Sequence, residues 1–352
     1  MAGHGDDAPR GRDDAIVAAR FARAHRVRRA EIAFWLAAFA TLLVLPRQAL
    51  IGNEIAIIAL FALSLDLILG YAGIVSLGHA AFFGLGAYAA GLFARHVNAD
   101  PLLGLGVGAA AAGLLGLATS ALVLRGADLT RLMVTLGVAL LLSEVANRAA
   151  AITGGADGLQ GIVMAPLFGR FAFDLTGRTA FAYSLTVTFL LFLLARRIVH
   201  SPFGASLRAI RDNRLRAAAI GVPVTRRLVA IYTIAATYAG VAGALLAQTT
   251  QFVSLDVLAF DRSADVLLML VIGGAGWLYG GPVGALVFKV AQEVFSGLTP
   301  QYWHFWIGLA LVVLVLVGRD RISALARDAV AALSGLRGTR AARGGGSRSV
   351  PP

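Results

Sequence analysis

Seven ionisable side chains fall in or near long apolar runs: Glu54, Asp66, His79, Glu144, Asp265, Lys289 and Glu293. A charge set in hydrocarbon is costly, so each must face a protein interior, an interface or a partner of opposite sign. Glu293 follows Lys289 by four residues and can pair with it along a helix. Asp66 and His79 flank a glycine-rich stretch, 70–88, with glycines at 70, 73, 78, 84 and 86. A second such stretch, 273–284, reads GGAGWLYGGPVG. Glycine at this density permits unwound backbone or very close helix contact. Broken helices beside buried polar groups are where solutes bind at membrane depth. The candidate lining residues are therefore Asp66, Ser76, Gly78, His79, Gly274 and Gly276. The plainer alternative for both stretches is small-residue packing between helices.

Other chemistries lack their residues. There is no cysteine, which removes disulfides, thiolate catalysis and cysteine-ligated metal. The six histidines are dispersed with no HxxxH pair, so no zinc site is expected. A nucleotide-binding P-loop needs GxxxxGK[ST], and the single lysine, Lys289, is followed by Val290. The chain is thus read as no enzyme and as binding no cofactor itself; any ATP and magnesium would be held by other subunits.

The elements that must position these residues are membrane helices. Hydrophobic residues make up 58% of the 352 positions and charged residues 14%, with a mean hydropathy of +0.78. Soluble chains are nearer half apolar and a quarter charged. The apolar residues lie in runs too long and uniform for barrel strands, which alternate and run about 9–11 residues. The expected fold is all-α, a polytopic membrane bundle of about 8–10 spans that includes discontinuous or re-entrant glycine-rich segments. The spans are read as 30–45, 49–69, 74–94, 102–124, 132–148, 180–199 and 227–248, then 264–296, broken at its glycines, and 304–318. They form one permease-like domain, 30–318, between basic tails at 1–29 and 319–352.

The net charge of +12 follows this layout. With the N-terminus inside, the segments 1–29, 125–131, 196–227 and 319–352 hold 24 arginines and the outside segments hold six. That is a strong positive-inside bias, and it places both termini in the cytoplasm. It requires both ends of 264–296 to lie on one side, as in a hairpin. The arginines accordingly point to lipid headgroups and not to nucleic acid.

The longest cytoplasmic connection, 200–223, has an apolar stripe of Leu207, Ile210 and Leu215 among Arg208, Arg211, Arg214 and Arg216. It reads as a short amphipathic helix, a turn at Asp212 and Asn213, a second helix, and a stop at Gly221 before Pro223. Such an element either lies on lipid or docks a cytoplasmic partner.

Four motifs in one order carry a resemblance: GYAGIVSLGHAAFFGLGAYAAG at 70–91, ITGGADGLQGI at 152–162, SPFGASLRAIRDN through AIGV at 201–222, and GGAGWLYGGPVGA at 273–285. The sequence resembles the LivM-type permease subunits of branched-chain amino acid importers of the ATP-binding-cassette class, from about residue 49 to 318. The resemblance implies a bacterial inner-membrane subunit that moves branched-chain amino acids or a related small polar solute. It implies a second homologous permease, two cytoplasmic ATPase subunits and a periplasmic solute-binding protein. It makes the 201–222 segment the coupling element, with Leu207, Arg208, Ile210, Arg211, Asp212, Arg214, Ala219 and Gly221 as its contact residues. The chain departs from the usual pattern in having Arg214 and Ala218 where acidic residues are common, and Trp277 where serine is common. The competing reading is a stand-alone secondary transporter or channel, which would need a coupling-ion cluster of its own.

The charge count makes a direct prediction. Cysteines introduced at Ala156 and Thr339 face opposite sides, so an impermeant thiol reagent applied to whole cells labels Ala156→Cys and spares Thr339→Cys. The reverse pattern would invert the topology.

Overall fold

The computed structural model describes residues 29–44, 46–126, 128–174 and 176–298, with isolated positions between 301 and 312. The tails at 1–28 and 319–352 and most of the expected last span, 304–318, lie outside the described residues. The described residues are all-α. Their helices are α1 Arg29–Val44, α2 Ala49–Ala72, α3 Ala80–His96, α4 Pro101–Val123, α5 Asp128–Arg148, α6 Ala150–Thr153, α7 Arg178–Val199, α8 Pro202–Asp212, α9 Arg214–Ala219, α10 Val224–Thr250, α11 Phe260–Gly273 and α12 Gly280–Leu298. The chain divides into two compact units, 1–289 and 290–352. The first holds every helix through α11 and the opening turns of α12.

Among the described residues, five helices are long and apolar enough to cross a membrane: Pro46–Ala72, α4, Leu129–Arg148, α7 and α10. α3 and α11 are shorter, at 17 and 14 residues. At 1.5 Å per residue, α11 rises about 21 Å, less than a hydrocarbon core of about 30 Å. They are the two elements expected to be interrupted. The expected span 74–94 does not begin at 74. α2 runs on to Ala72 and stops where Gly73 turns left-handed at φ 69°; its N–H reaches back to Leu69 O. Helix resumes only at Ala80.

α10 is the central post, packed against α2, α3 and α4, while α7 packs chiefly on α2. Glycine makes the central contacts possible. A Cβ on Gly86 would strike the backbone of Gly240, and one on Gly243 would strike Phe83 O. α4 runs antiparallel to α10: Gly104 lies against Gln248, Gly108 against Ala244, Gly113 against Thr237 and Gly116 against Ala236. In lipid there is no hydrophobic drive between helices, so such close van der Waals contact is the main adhesive. α1 lies antiparallel on α7, through the Glu31–Arg196 ion pair at 3.1 Å and the Trp35–Phe192 and Phe39–Phe189 ring contacts.

α11 and α12 form a hairpin, as the charge count requires. Gly273 meets Gly280 O, and Gly284 meets Met269 O, so the chain reverses between them. The returning arm runs antiparallel to α2: Gly281 abuts Leu63 N, and about two turns on, Lys289 pairs with Glu54. Lys289, which helical spacing alone would pair with Glu293, thus reaches a carboxylate 235 residues away.

At the end away from α8, Gln248 holds the start of α4. Its Nε2 donates to Pro101 O at 2.7 Å, and Tyr183 Oη donates to Gln248 Oε1 at 3.1 Å. Leu159 and Val253 exchange backbone hydrogen bonds there, joining the 152–162 motif to the segment after α10. Interhelical hydrogen bonds in bilayers contribute about 0.6 kcal/mol on average. Gln248→Leu is therefore expected to lower stability by about 1–2 kcal/mol, and Tyr183→Phe by less, measured by thermal unfolding in detergent.

Candidate functional site

The site is built from two stretches of non-helical backbone, 73–79 and 274–279, and from α8–α9, which closes over one end of both. Backbone that leaves a helix at membrane depth must find partners in protein. In the first break, Leu77 N–H donates to Thr135 Oγ1 (3.3 Å) on α5, and Ala80 N–H, the first of α3, donates to Ser263 Oγ (2.9 Å) on α11. Gly78 lies directly on the Thr135 carbonyl, where any side chain would collide. Ser76, Gly78 and His79 are all buried.

His79 is fixed from two directions. Its ring stacks on Phe61 (5.5 Å, 10° between planes) and meets Phe82 edge-on. Its Nε2 lies 2.8 Å from Ser64 Oγ, whose hydrogen is already given to Phe61 O (2.6 Å). Nε2 must then be the donor, which leaves Nδ1 as a bare acceptor; this tautomer is assigned from the hydrogen-bond network. Neither Nδ1 nor Ser76 Oγ has a hydrogen-bond partner among the described residues.

The second break is held by Asp66. This carboxylate is fully buried, and its Oδ1 accepts the Gly276 N–H at 2.7 Å. Gly274 and Gly276 both take positive φ, 101° and 82°. Asp66 and His79 flank the first break in sequence but do not share a site. Ser64, the partner of His79, and Asp66 are two positions apart on α2 and so point to different faces. The side chain of Asp66 belongs to the second break. Trp277 stands half-exposed beside Tyr279.

α8 begins on a capping serine. Ser201 Oγ accepts the Gly204 N–H and Pro202 occupies the first turn. α9 is capped by Asn213, whose Oδ1 accepts the Arg216 N–H at 2.9 Å. The second helix ends at the expected glycine: Gly221 has φ 85°, and Val222 N–H closes the turn on Ala217 O at 3.1 Å.

One expectation about this element changes. Leu207 and Ile210 are 0% and 1% exposed, seated against the protein's own α2, α7 and α10, so they do not form a stripe open to a groove on a partner. The apolar side chains that face outward are Leu215 and Ile220, 85% and 71% exposed. Arg208, Arg211, Asp212, Arg216 and Ala219 are exposed around them, and Arg214 is partly so. Arg208 Nη1 donates to Val199 O at 3.1 Å, and the Arg227 guanidinium stacks on Phe203, 5.2 Å from its centroid. Arg211 reaches furthest: its Nη1 donates to Gly70 O at the end of α2. Leu215 was legible as part of the stripe. Ile220 was missed, because a six-residue helix is too short for its periodicity to say which way it faces.

Similarity to known proteins decides the family. Residues 49–317 match the family described as branched-chain amino acid transport system / permease component. The chain belongs to this family. It is 30% identical over 288 residues to the high-affinity branched-chain amino acid transport system permease protein LivM of Salmonella typhimurium, an alignment that covers 74% of this chain. It spans 66% of that relative's length. The fructose import permease protein FrcC of Rhizobium meliloti is 28% identical over 291 residues, 77% of each chain. LivH of Salmonella typhimurium, a permease protein of the branched-chain amino acid system, is 30% identical over 132 residues, 37% of this chain. No solved structure matches. All four motifs of the resemblance and both glycine breaks fall inside the matched region.

Gly78 provides the sharpest test of the first break. Gly78→Leu forces α5 away from the segment and is expected to cost at least about 2 kcal/mol through overpacking. Gly137, on the same α5, has nothing within 4 Å of a built Cβ, so Gly137→Leu serves as the control. Unfolding midpoints of the purified variants in detergent should separate the two; equal midpoints would show that Gly78 needs no close approach.

Proposed function

We propose that this chain is a permease subunit of an importer driven by separate ATPase subunits, forming part of the path for branched-chain amino acids or a related small polar solute. The observation that carries the reading is the seat of α8–α9. A basic element with two outward apolar side chains rests on the C-terminal end of α2, beside Gly70 and Gly73, and against Gly276. The sequence has no P-loop of its own with which to use ATP. An element that a partner can push, placed against both of these stretches of unwound backbone, is what an ATP-driven permease requires. The resemblance to both an amino acid permease and a fructose permease supports a small polar solute as the class.

In this reading the path follows the unwound segment, with Ser76, Gly78 and His79 near its middle and Gly274 and Gly276 at its α8 end. Ser76, Gly78, His79 and Gly274 are buried and Gly276 is half-buried, so the conformation is a closed one. Asp66 keeps the second break in shape. The remaining partners are a second homologous permease, two ATPase subunits and a solute-binding protein outside. The arginine distribution supports an inner-membrane orientation with both termini and α8–α9 in the cytoplasm.

Docking is carried by Leu215 and Ile220, ringed by Arg208 and Arg216. Burying two such side chains contributes about 3 kcal/mol or more, on the order of a hundredfold in affinity. The double variant Leu215→Asp/Ile220→Asp is expected to insert and fold normally, yet lose ATPase co-purification and solute uptake in reconstituted liposomes. The double variant Leu207→Asp/Ile210→Asp instead buries charge inside the permease and should fail to accumulate as folded protein. If the first variant retains its ATPases, α8–α9 is a lipid-surface element. Uptake by the wild-type chain alone, without ATPases, would instead identify a secondary transporter or channel.

A further inference from the structure

Arg211 and Asp66 meet where Gly70 and Gly276 touch, and their arrangement goes beyond docking. A docking element transmits motion only if it is tied stiffly to the parts that must move. Most of the ties of α8 are local or non-directional. Leu207 and Ile210 are apolar contacts that can slide, Arg208 binds back to the end of α7, and Phe203 stacks on the start of α10. Arg211 differs. Its stem lies over Gly73, with Cγ 3.1 Å from where a Cβ would be, and its Nη1 donates to Gly70 O, 141 residues away in sequence.

Three elements converge on Gly70. Its carbonyl takes the Arg211 guanidinium. Its bare Cα lies under Asp66 Oδ1 and against Gly276 N, so any side chain there would strike both. Asp66 Oδ1 in turn takes the Gly276 N–H. Gly276, at φ 82°, would press a side chain onto Arg211 Nη1 at 2.9 Å. The end of α2, the turn of the α11–α12 hairpin and the helix α8 are therefore joined by two directed hydrogen bonds across glycines that leave no slack. The cation is well placed on general grounds too, since it faces the carbonyl end of α2, the negative end of its dipole. Asp66 Oδ2 is buried and has no hydrogen-bond partner among the described residues, leaving one carboxylate oxygen for a second arrangement of the same cluster.

Resting on the reading of α8–α9 as a docking element, we propose that Arg211 is the positioning residue that carries its motion to both glycine breaks, with Asp66 as the second half of the link. Arg211 does not touch the solute, nor does it supply the docking affinity. It fixes α8 to Gly70, and Asp66 fixes Gly70's neighbourhood to the turn at Gly276, so displacement of α8 moves both breaks together.

The test uses the full complex of permeases, ATPases and binding protein in liposomes, with the solute that the wild-type complex imports. Arg211→Ala is expected to keep its ATPases through purification and to hydrolyse ATP, while solute imported per ATP falls at least fivefold. Arg211→Lys, which can still donate to Gly70 O, should regain at least a third of the wild-type ratio. Arg211→Met keeps the stem over Gly73 without the donor, and it stands in for the alanine variant if that one folds poorly. Gly276→Ala should reproduce the uncoupling with Arg211 intact. A wild-type ratio in Arg211→Met or Arg211→Ala overturns the proposal, and so does loss of ATPase retention in step with transport, which would make Arg211 part of the docking surface. Failure of the wild-type complex to need ATPases at all would strike the functional reading, and is seen before any variant is made.

Discussion

The structure depends on one constraint: a backbone amide or carbonyl at membrane depth must be satisfied by protein, because hydrocarbon offers it nothing. Helices meet this requirement internally, but 73–79 and 274–279 do not. Each uses side chains from distant segments. Thr135 takes Leu77 N–H, Ser263 takes Ala80 N–H, Asp66 takes Gly276 N–H, and Arg211 gives to Gly70 O. These four bonds draw α2, α3, α5, α8, α11 and the hairpin turn onto a small region. The interruptions cost little only because the surrounding helices supply the missing partners. In return, the chain gains a region of backbone that can change shape without tearing a helix.

Glycine serves two separate purposes in this arrangement. Gly86, Gly108, Gly240 and Gly243 lie within helices and let α3, α4 and α10 touch backbone to backbone. They form the rigid part of the molecule, where close contact leaves no room for sliding. Gly70, Gly73, Gly78 and Gly276 lie at or beside the breaks. Gly73 and Gly276 need positive φ, whereas Gly70 and Gly78 need the absence of a Cβ. The two explanations that glycine-rich sequence allows, packing and unwinding, are thus both realised, in adjacent parts of the same motif. The division falls at Ala80, where α3 begins.

The α8–α9 element shows how an amphipathic pattern can be read correctly and placed wrongly. The pattern says that one face of α8 is apolar and the other basic. It does not say whether the apolar face is covered by the same chain or by another. Leu207 and Ile210 turn out to be the anchor that holds α8 to the bundle, which frees Leu215 and Ile220 for contact outside it. That division gives the element one face held by the bundle and one left outward, which a device relaying motion between proteins would need.

The sequence alone determined what depends on local chemistry and composition. Long apolar runs require membrane helices, so the all-α bundle was legible, with most helix ends within a few residues. The turn at Asp212 and Asn213, the stop at Gly221 and the hairpin in 264–296 follow from residue type and charge distribution. The two breaks were legible as glycine density. Only the tertiary structure decided which partners these features meet, because those contacts join residues far apart in the chain and leave no periodic trace. Glu54 with Lys289, Asp66 with Gly276, Ser64 with His79 and Arg211 with Gly70 are such pairs. A buried polar group announces in the sequence that it must have a partner; the packing of distant helices decides which one it has.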